Sequence, residues 1–308
     1  MSSTNDAKML SQTNQGLYVG QAPPLWMSVL KGFILTLCCL MVVGPFVMVI
    51  STSLADPVQI GQGGGLVLWP QNPTLDAYRA ILGGGKVTRA LMVSVMITVG
   101  GTALSLVLTT MLAYALSRRD MIGGRVILMI VLLTMFFSPG MIPVYLTVKE
   151  FGLLDSLLSL VLPVAVSAFN VIVMRAFFME LPSELTEAAR IDGAGEWRTF
   201  ISIVLPLSKP IIAAIGLFYA VNYWNVFFSA VLYITDDSKR PIQLILREYL
   251  VNGSQMGVSD MDIAGELLPP QPSLQMATLV VSLIPIAAVY PFLQKHFTKG
   301  MLTGAVKG

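Results

Sequence analysis

Apolar and polar residues separate along this chain into long blocks. Six stretches, approximately Phe33–Leu54, Leu91–Leu116, Val126–Leu146, Leu157–Val173, Pro210–Ile234 and Leu274–Leu293, contain no Asp, Glu, Lys, Arg or His. A helix needs roughly 20 residues to cross a bilayer core, and only the fourth stretch falls short. The pattern predicts an all-α polytopic membrane protein with six transmembrane helices. Composition points the same way: 55% of the 308 residues are hydrophobic and 12% are charged, where soluble proteins average about 25% charged. Pro139, Gly140 and Pro143 lie inside the third stretch and should kink or interrupt it.

Residues 1–25 are polar, low in charge and rich in Ser, Thr, Asn, Gln and Gly. They read as a disordered tail ahead of a membrane domain covering 26–308. The first apolar stretch is too long for a signal peptide and has no small-residue cleavage site where one would be placed, so it reads as an uncleaved anchor. The adjacent Cys38 and Cys39 read as buried apolar residues rather than a redox or metal pair.

The charges set an orientation. Lys8 and Lys31 precede the first span, Arg118, Arg119 and Arg125 follow the second, Arg175, Arg190, Arg198 and Lys209 follow the fourth, and Lys295, Lys299 and Lys307 follow the sixth. The opposite side carries Arg79, Lys86, Arg89, Lys149, Lys239, Arg240 and Arg247, mostly in longer loops where the bias counts for less. The positive-inside rule then puts both termini and the loop around Glu187 in the cytoplasm. It leaves two long outside loops, about 55–89 and 235–273, of a length often associated with binding. Net charge is only +2, with no basic block that suggests nucleic acid.

The segment about 182–206 is polar and lies between apolar blocks. Pro182 or Ser183 suits a helix start, and Glu184 and Glu187 complement the positive end of the helix dipole. Leu185, Ala188 and Ala189 fall at i, i+3 and i+4 on one mostly small face. Gly193 can supply the left-handed residue that ends the helix. A second helix should run from about Glu196 to Val204, with an apolar stripe of Trp197, Phe200, Ile201 and Val204, and should end before Pro206.

The order Glu187-Ala188-Ala189, Arg190-Ile191, Asp192-Gly193-Ala194, then Phe200, Ile203 and Leu205-Pro206 resembles the EAA loop of the membrane-spanning subunits of ABC importers. The resemblance extends through Asn170, Arg175, Phe177-Phe178, Leu181-Pro182, Glu184-Leu185, Pro206-Leu207, Pro210, Trp224-Asn225 and the ending Lys299-Gly300 … Gly304-Ala305-Val306-Lys307-Gly308. These residues look like the carbohydrate branch, of the maltose-system type (second permease). Ser138–Pro143 and Trp197–Phe200 are similar to permeases for oligosaccharides. The resemblance implies that Leu185, Glu187, Ala188, Ala189, Asp192, Gly193 and Ala194 couple to an ATPase on another polypeptide. It also implies a second homologous permease, two ATPase subunits that bind ATP-Mg, and an extracytoplasmic sugar-binding protein as partners, with no cofactor or catalytic residue on this chain.

Other chemistry is weakly represented. Gly83-Gly84-Gly85-Lys86-Val87-Thr88 departs from a phosphate loop at Ala80 and at Val87. Its single histidine, His296, excludes a histidine-based metal cluster or catalytic dyad. Apolar stretches free of ionisable groups disfavour an ion-coupled secondary transporter and an intramembrane enzyme. In the fifth stretch Tyr219, Asn222 and Tyr223 lie at i, i+3 and i+4, with Asn225 close by. Such a face suits contact with a hydroxyl-rich, carbohydrate-like solute, and equally suits glue between helices. Asn170 in the fourth stretch is a further candidate for the substrate pathway.

Overall fold

The computed structural model describes residues 25–118, 120–257, 260–261 and 268–305. Among these there is no strand, and the protein is an all-α polytopic membrane protein. The disordered-tail expectation for 1–25 falls almost wholly outside the described residues, as does the side chain of His296.

Three of the six apolar stretches are single long helices: α1 (Leu25–Leu54), α2 (Lys86–Ser117) and the apolar start of α12 (Gln271–Ala305). Their mean hydropathies are 2.7, 2.1 and 1.7. The third stretch is interrupted, as its prolines and glycine suggest. Helix α3 (Gly124–Phe136) stops before Pro139, and α4 (Met141–Glu150) starts after Gly140, whose φ of 81° is left-handed. The fourth is α5 (Leu158–Val161) and a 3-10 turn (Leu162–Val164), followed after a 53° bend by α6 (Ala168–Glu180).

Two expectations need correction. The fifth stretch is not one helix: α9 (Lys209–Trp224) ends at Asn225, and α10 (Phe228–Tyr233) follows. The Asn225 amide donates to its own Val221 carbonyl at 2.8 Å, so the side chain caps the helix end. Nor does Pro206 end the helix before it. After α7 (Ser183–Ile191) and α8 (Glu196–Thr199) the chain continues as a π-turn (Phe200–Val204) and a short helix (Leu205–Leu207). Pro206 falls at the start of that last piece, where a missing N–H costs little. The chain bends by 82° only at Ser208, before α9.

The chain divides at Val49 and Ile50 into two units. The described part of the first is most of α1, whose apolar residues Phe33, Leu37, Leu40 and Met41 are exposed. Cys38 and Cys39 are free and exposed there, not buried. A helix that is apolar all round belongs in lipid and has no polar side to turn outward.

In the second unit one core is built by α2, α6 and α9 around Ile97, Met174, Ile215, Tyr219 and Tyr223. A second core orders the described parts of the long loops. There α11 (Ile242–Leu250) buries Ile242, Ile245, Leu246 and Tyr249 against Trp224, Leu274 and the short helix Asp76–Leu82. Its charges pair: Lys86 lies 2.9 Å from Glu248, which also meets Arg240 at 3.3 Å. The start of α2 passes so close to this layer that a Cβ on Gly85 would fall 2.0 Å from the Asp260 carbonyl oxygen. We expect Gly85→Ala to lower the thermal midpoint of the detergent-purified protein by several degrees. Gly61→Ala, whose Cβ meets nothing within 4 Å, should leave it unchanged.

Candidate functional site

Two places in the second unit concentrate polar chemistry. The first is the polar segment that contains α7. Gly193 takes φ 74°, its N–H donates to the Arg190 carbonyl, and the Ala194 N–H reaches back to Ala189 at 2.8 Å. These paired bonds around a left-handed glycine close α7 in a Schellman motif, as the sequence suggested. Leu185, Glu187, Ala188 and Asp192 are exposed, whereas Ala189 is buried against the chain itself. The small face is therefore divided: Leu185 and Ala188 remain open and Ala189 anchors the helix.

Beneath α7 lies an ionic cluster. Glu196, at the start of α8, accepts a hydrogen bond from Arg190 at 2.7 Å and another from the Tyr114 hydroxyl at 2.9 Å. Arg118 Nε lies 3.4 Å from the same carboxylate, and Arg190 also meets Asp120 at 3.5 Å. The Arg118 guanidinium sits 4.5 Å above the Tyr114 ring and donates to its hydroxyl. The Arg190 hydrogen bond is the main cause holding the Glu196 carboxyl below its ordinary value, and Arg190 is raised in return. A depressed carboxyl stabilises the fold above its unfolded pKa and loses that contribution as pH falls through the folded one, so the cluster is intact at neutral pH. Tyr114, Arg118, Asp120, Glu187 and Arg190 line a cavity of about 350 Å³ here. Nothing local in the sequence links Arg118 to Glu196, and only the fold reveals the pairing.

The second place is the break in the fourth apolar stretch. Between the 3-10 turn and α6 the backbone is irregular, inside an otherwise apolar stretch. Two tyrosines of α9 repair it. The Ser167 N–H donates to the Tyr219 hydroxyl at 2.9 Å, and the Tyr223 hydroxyl donates to the Val161 carbonyl at 3.3 Å. Each hydroxyl has a second partner on α2, Thr109 for Tyr219 and Ser105 for Tyr223, both at 2.7 Å. The i, i+4 spacing on both helices lets the two pairs form together. Room for the Tyr223 ring comes from Gly101, whose Cβ would lie 2.9 Å from it.

Beside this latch is an open recess of about 500 Å³ lined by Val166, Phe169, Asn170, Phe218, Tyr219 and Asn222 among others. The Phe169 and Phe218 rings are 6.5 Å apart and both are exposed. The structure therefore brings Asn170, Tyr219 and Asn222 together. Of these only Asn222 is exposed; Tyr219 and Asn170 are buried at the back of the recess, Tyr223 is turned into the bundle, and Asn225 lies outside the recess on its own helix end. Phe169 and Phe218, which sequence reasoning passed over as generic apolar residues, complete the wall. Among the described residues no cluster of His, Cys, Asp and Glu is arranged to hold a metal.

Residues 16–303 match the family model described as binding-protein-dependent transport system inner membrane component. The chain belongs to this family. Its members are transport subunits, not enzymes. The chain is 46% identical to the polygalacturonan/rhamnogalacturonan transport system permease protein YtcP of Bacillus subtilis (strain 168), over 90% of this chain and 96% of that one. It is 45% identical to Protein LplC of the same organism, over 86% and 89% of the two chains. Among solved structures, a bacterial ABC transporter involved in the import of the acidic polysaccharide alginate contains a chain 29% identical, with TM-score 0.79, covering 88% of this chain and 96% of that one.

Tyr219→Phe leaves the Ser167 N–H and Thr109 without a shared partner, a loss of about 1–3 kcal/mol for a buried unsatisfied donor. The purified protein should melt at a lower temperature than wild type. Asn225→Ala, which removes only an exposed bond within its own helix, should change little.

Proposed function

We propose that this chain is one permease half of an ATP-driven carbohydrate importer, with an oligosaccharide as its cargo. It would cross the membrane six times, with both termini and the Glu187 loop in the cytoplasm. A homologous permease would complete the pore, two partner ATPase subunits would bind ATP-Mg, and an extracytoplasmic sugar-binding protein would deliver the substrate. Helix α7, through Leu185, Glu187, Ala188 and the Gly193 turn, would seat in the ATPase and carry its closure into the membrane. The relative named for polygalacturonan/rhamnogalacturonan transport and the solved transporter for alginate support the carbohydrate reading.

The observation that carries the substrate path is the recess at the broken fourth stretch. Irregular backbone at membrane depth is tolerated where it is buried in protein or lines a water-filled cavity. Exposed Asn222 beside it is costly against lipid but useful against hydroxyls. The exposed rings of Phe169 and Phe218 offer apolar walls to the C–H faces of a sugar and exposed Asn222 offers an amide donor and acceptor, with buried Tyr219 and Asn170 behind them. Tyr223 serves this site from behind, as a strut.

In proteoliposomes with the partner subunits, Asn222→Ala and Phe218→Ala should reduce sugar uptake while assembly and basal ATP hydrolysis persist. Unchanged uptake in both would move the path elsewhere. Gly193→Val should abolish transport without removing the chain from the membrane, because a β-branched residue is strained at a φ of 74°. Normal transport by Gly193→Val complexes would reduce α7 to a plain connector. Cysteine at Ser183 should react only with membrane-permeant reagents in intact cells, and cysteine at Ser238 with impermeant ones.

A further inference from the structure

The ionic cluster and the tyrosine latch sit on the same helix. Tyr114 and Arg118 are at one end of α2, and Thr109 lies five residues from Tyr114, about 7 Å of helical rise. Arg175 of α6 donates to the Leu116 carbonyl at 2.9 Å, so the broken fourth stretch is also tied to this end of α2. We infer that Glu196 is a positioning residue that clamps α7 to the end of α2, so that movement of α7 is delivered to α2 and through it to the tyrosine latch and the recess. This inference rests on the reading of α7 as the coupling helix.

The geometry favours Glu196 as the centre. Its carboxylate accepts from Arg190 on α7 and from Tyr114 on α2, and it faces Arg118 beyond the end of α2. Two segments 82 residues apart in sequence, the end of α2 and the α7–α8 segment, therefore meet at one side chain. An isolated exposed ion pair contributes little, but several charges organised as a network contribute more. Without the carboxylate, Arg118 loses its ion pair, Tyr114 loses its carboxylate acceptor, and Arg190 keeps only the longer contact to Asp120 at 3.5 Å. Covalent continuity from α8 through the π-turn moves α9, and the clamp adds a second, non-covalent route into α2. With both routes engaged, α2 and α9 move as one body and carry the Ser105–Tyr223 and Thr109–Tyr219 pairs without shearing them.

The test needs no knowledge of the sugar. Cys38 and Cys39 are replaced by Ser, and Asn222→Cys is introduced as a reporter in the recess of the reconstituted complex. Its labelling rate by a methanethiosulfonate reagent is measured with and without Mg-ATP and vanadate. We expect Glu196→Gln to cut the nucleotide-dependent change in labelling about fivefold or more while ATP hydrolysis stays within about twofold of the parent. Glu196→Asp should regain much of the response. A Glu196→Gln complex that responds like its parent would overturn the clamp. Should Glu196→Gln fail to assemble, Tyr114→Phe with Arg118→Gln decides, because it removes the ties to α2 and leaves the Arg190–Glu196 pair: a reduced response supports the clamp, and an unchanged one overturns it. Gly193→Val is the control for the underlying reading. If it too keeps the response, α7 is not the coupling helix. If it loses the response while Glu196→Gln keeps it, only the clamp falls.

Discussion

A peptide group cannot be left unpaired in a bilayer, and the broken ladder of the fourth apolar stretch leaves the Ser167 N–H and the Val161 carbonyl to side-chain partners. The chain breaks between Leu162 and Ala168, where the 3-10 turn and the 53° bend interrupt the helical ladder. Each unsatisfied group in hydrocarbon costs several kcal/mol, so the break persists only because other helices bring partners to it. Tyr219 and Tyr223 do this from α9 and take their own second bonds from Thr109 and Ser105 on α2. Much else around the second unit's main core follows from this arrangement. The two helices must approach closely, so α2 presents Gly101, Ser105 and Thr109 where larger residues would hold α9 away. Gly216 of α9 answers from its side, with Leu106 only 3.0 Å from where its Cβ would be. Small residues at the contact and polar pairs across it are the ordinary means of joining helices in a membrane. Here they also keep one helix open.

That opening gives the recess its character. Had the fourth stretch been a continuous helix, its backbone would be closed and its surface would read as lipid-facing. Because it is broken, Asn170 and the Phe169 ring are carried on a helix that begins at the break, opposite Phe218 and Asn222 of α9. The same two hydroxyls that satisfy the backbone also fix which faces of α6 and α9 remain uncovered. Within one turn of α9 the faces are thus divided: Tyr219 and Tyr223 turn inward with their hydroxyls in the latch, and Asn222 between them faces outward at the recess.

The legible part of this protein was whatever depends on local pattern. Charge-free windows located the apolar segments, Pro139 and Gly140 announced the interruption of the third, and Gly193 announced the end of α7. Residue spacing also put Tyr219, Asn222 and Tyr223 on one face, which is true of an ideal helix. It did not separate them, because only the neighbour decides that Tyr223 finds Ser105 while Asn222 finds open space. Pro206 misled for a related reason. As a lone signal it ends a helix, yet after a π-turn it stands at the start of the next piece, and the bend waits for Ser208. The Glu196 cluster lay beyond any local reading, since its members come from segments about eighty residues apart.

The two polar centres differ in the water they see, and this separates their tasks. The tyrosine latch is buried among α2, α6 and α9, where a hydrogen bond is electrostatically strong and an unpaired group is costly. Such bonds hold geometry and change partners reluctantly. The Glu196 cluster is partly exposed, with Arg190 and Glu196 each about half open to solvent, so its pairs exchange at small cost. The proposed importer would need this order: adaptable contacts where force would enter, and fixed ones where the path would be shaped. Helix α2 joins the two, with Tyr114 in the adaptable centre and Thr109 in the fixed one. As one unbroken helix, it would relate the state of the loop to the shape of the recess under the coupling we infer.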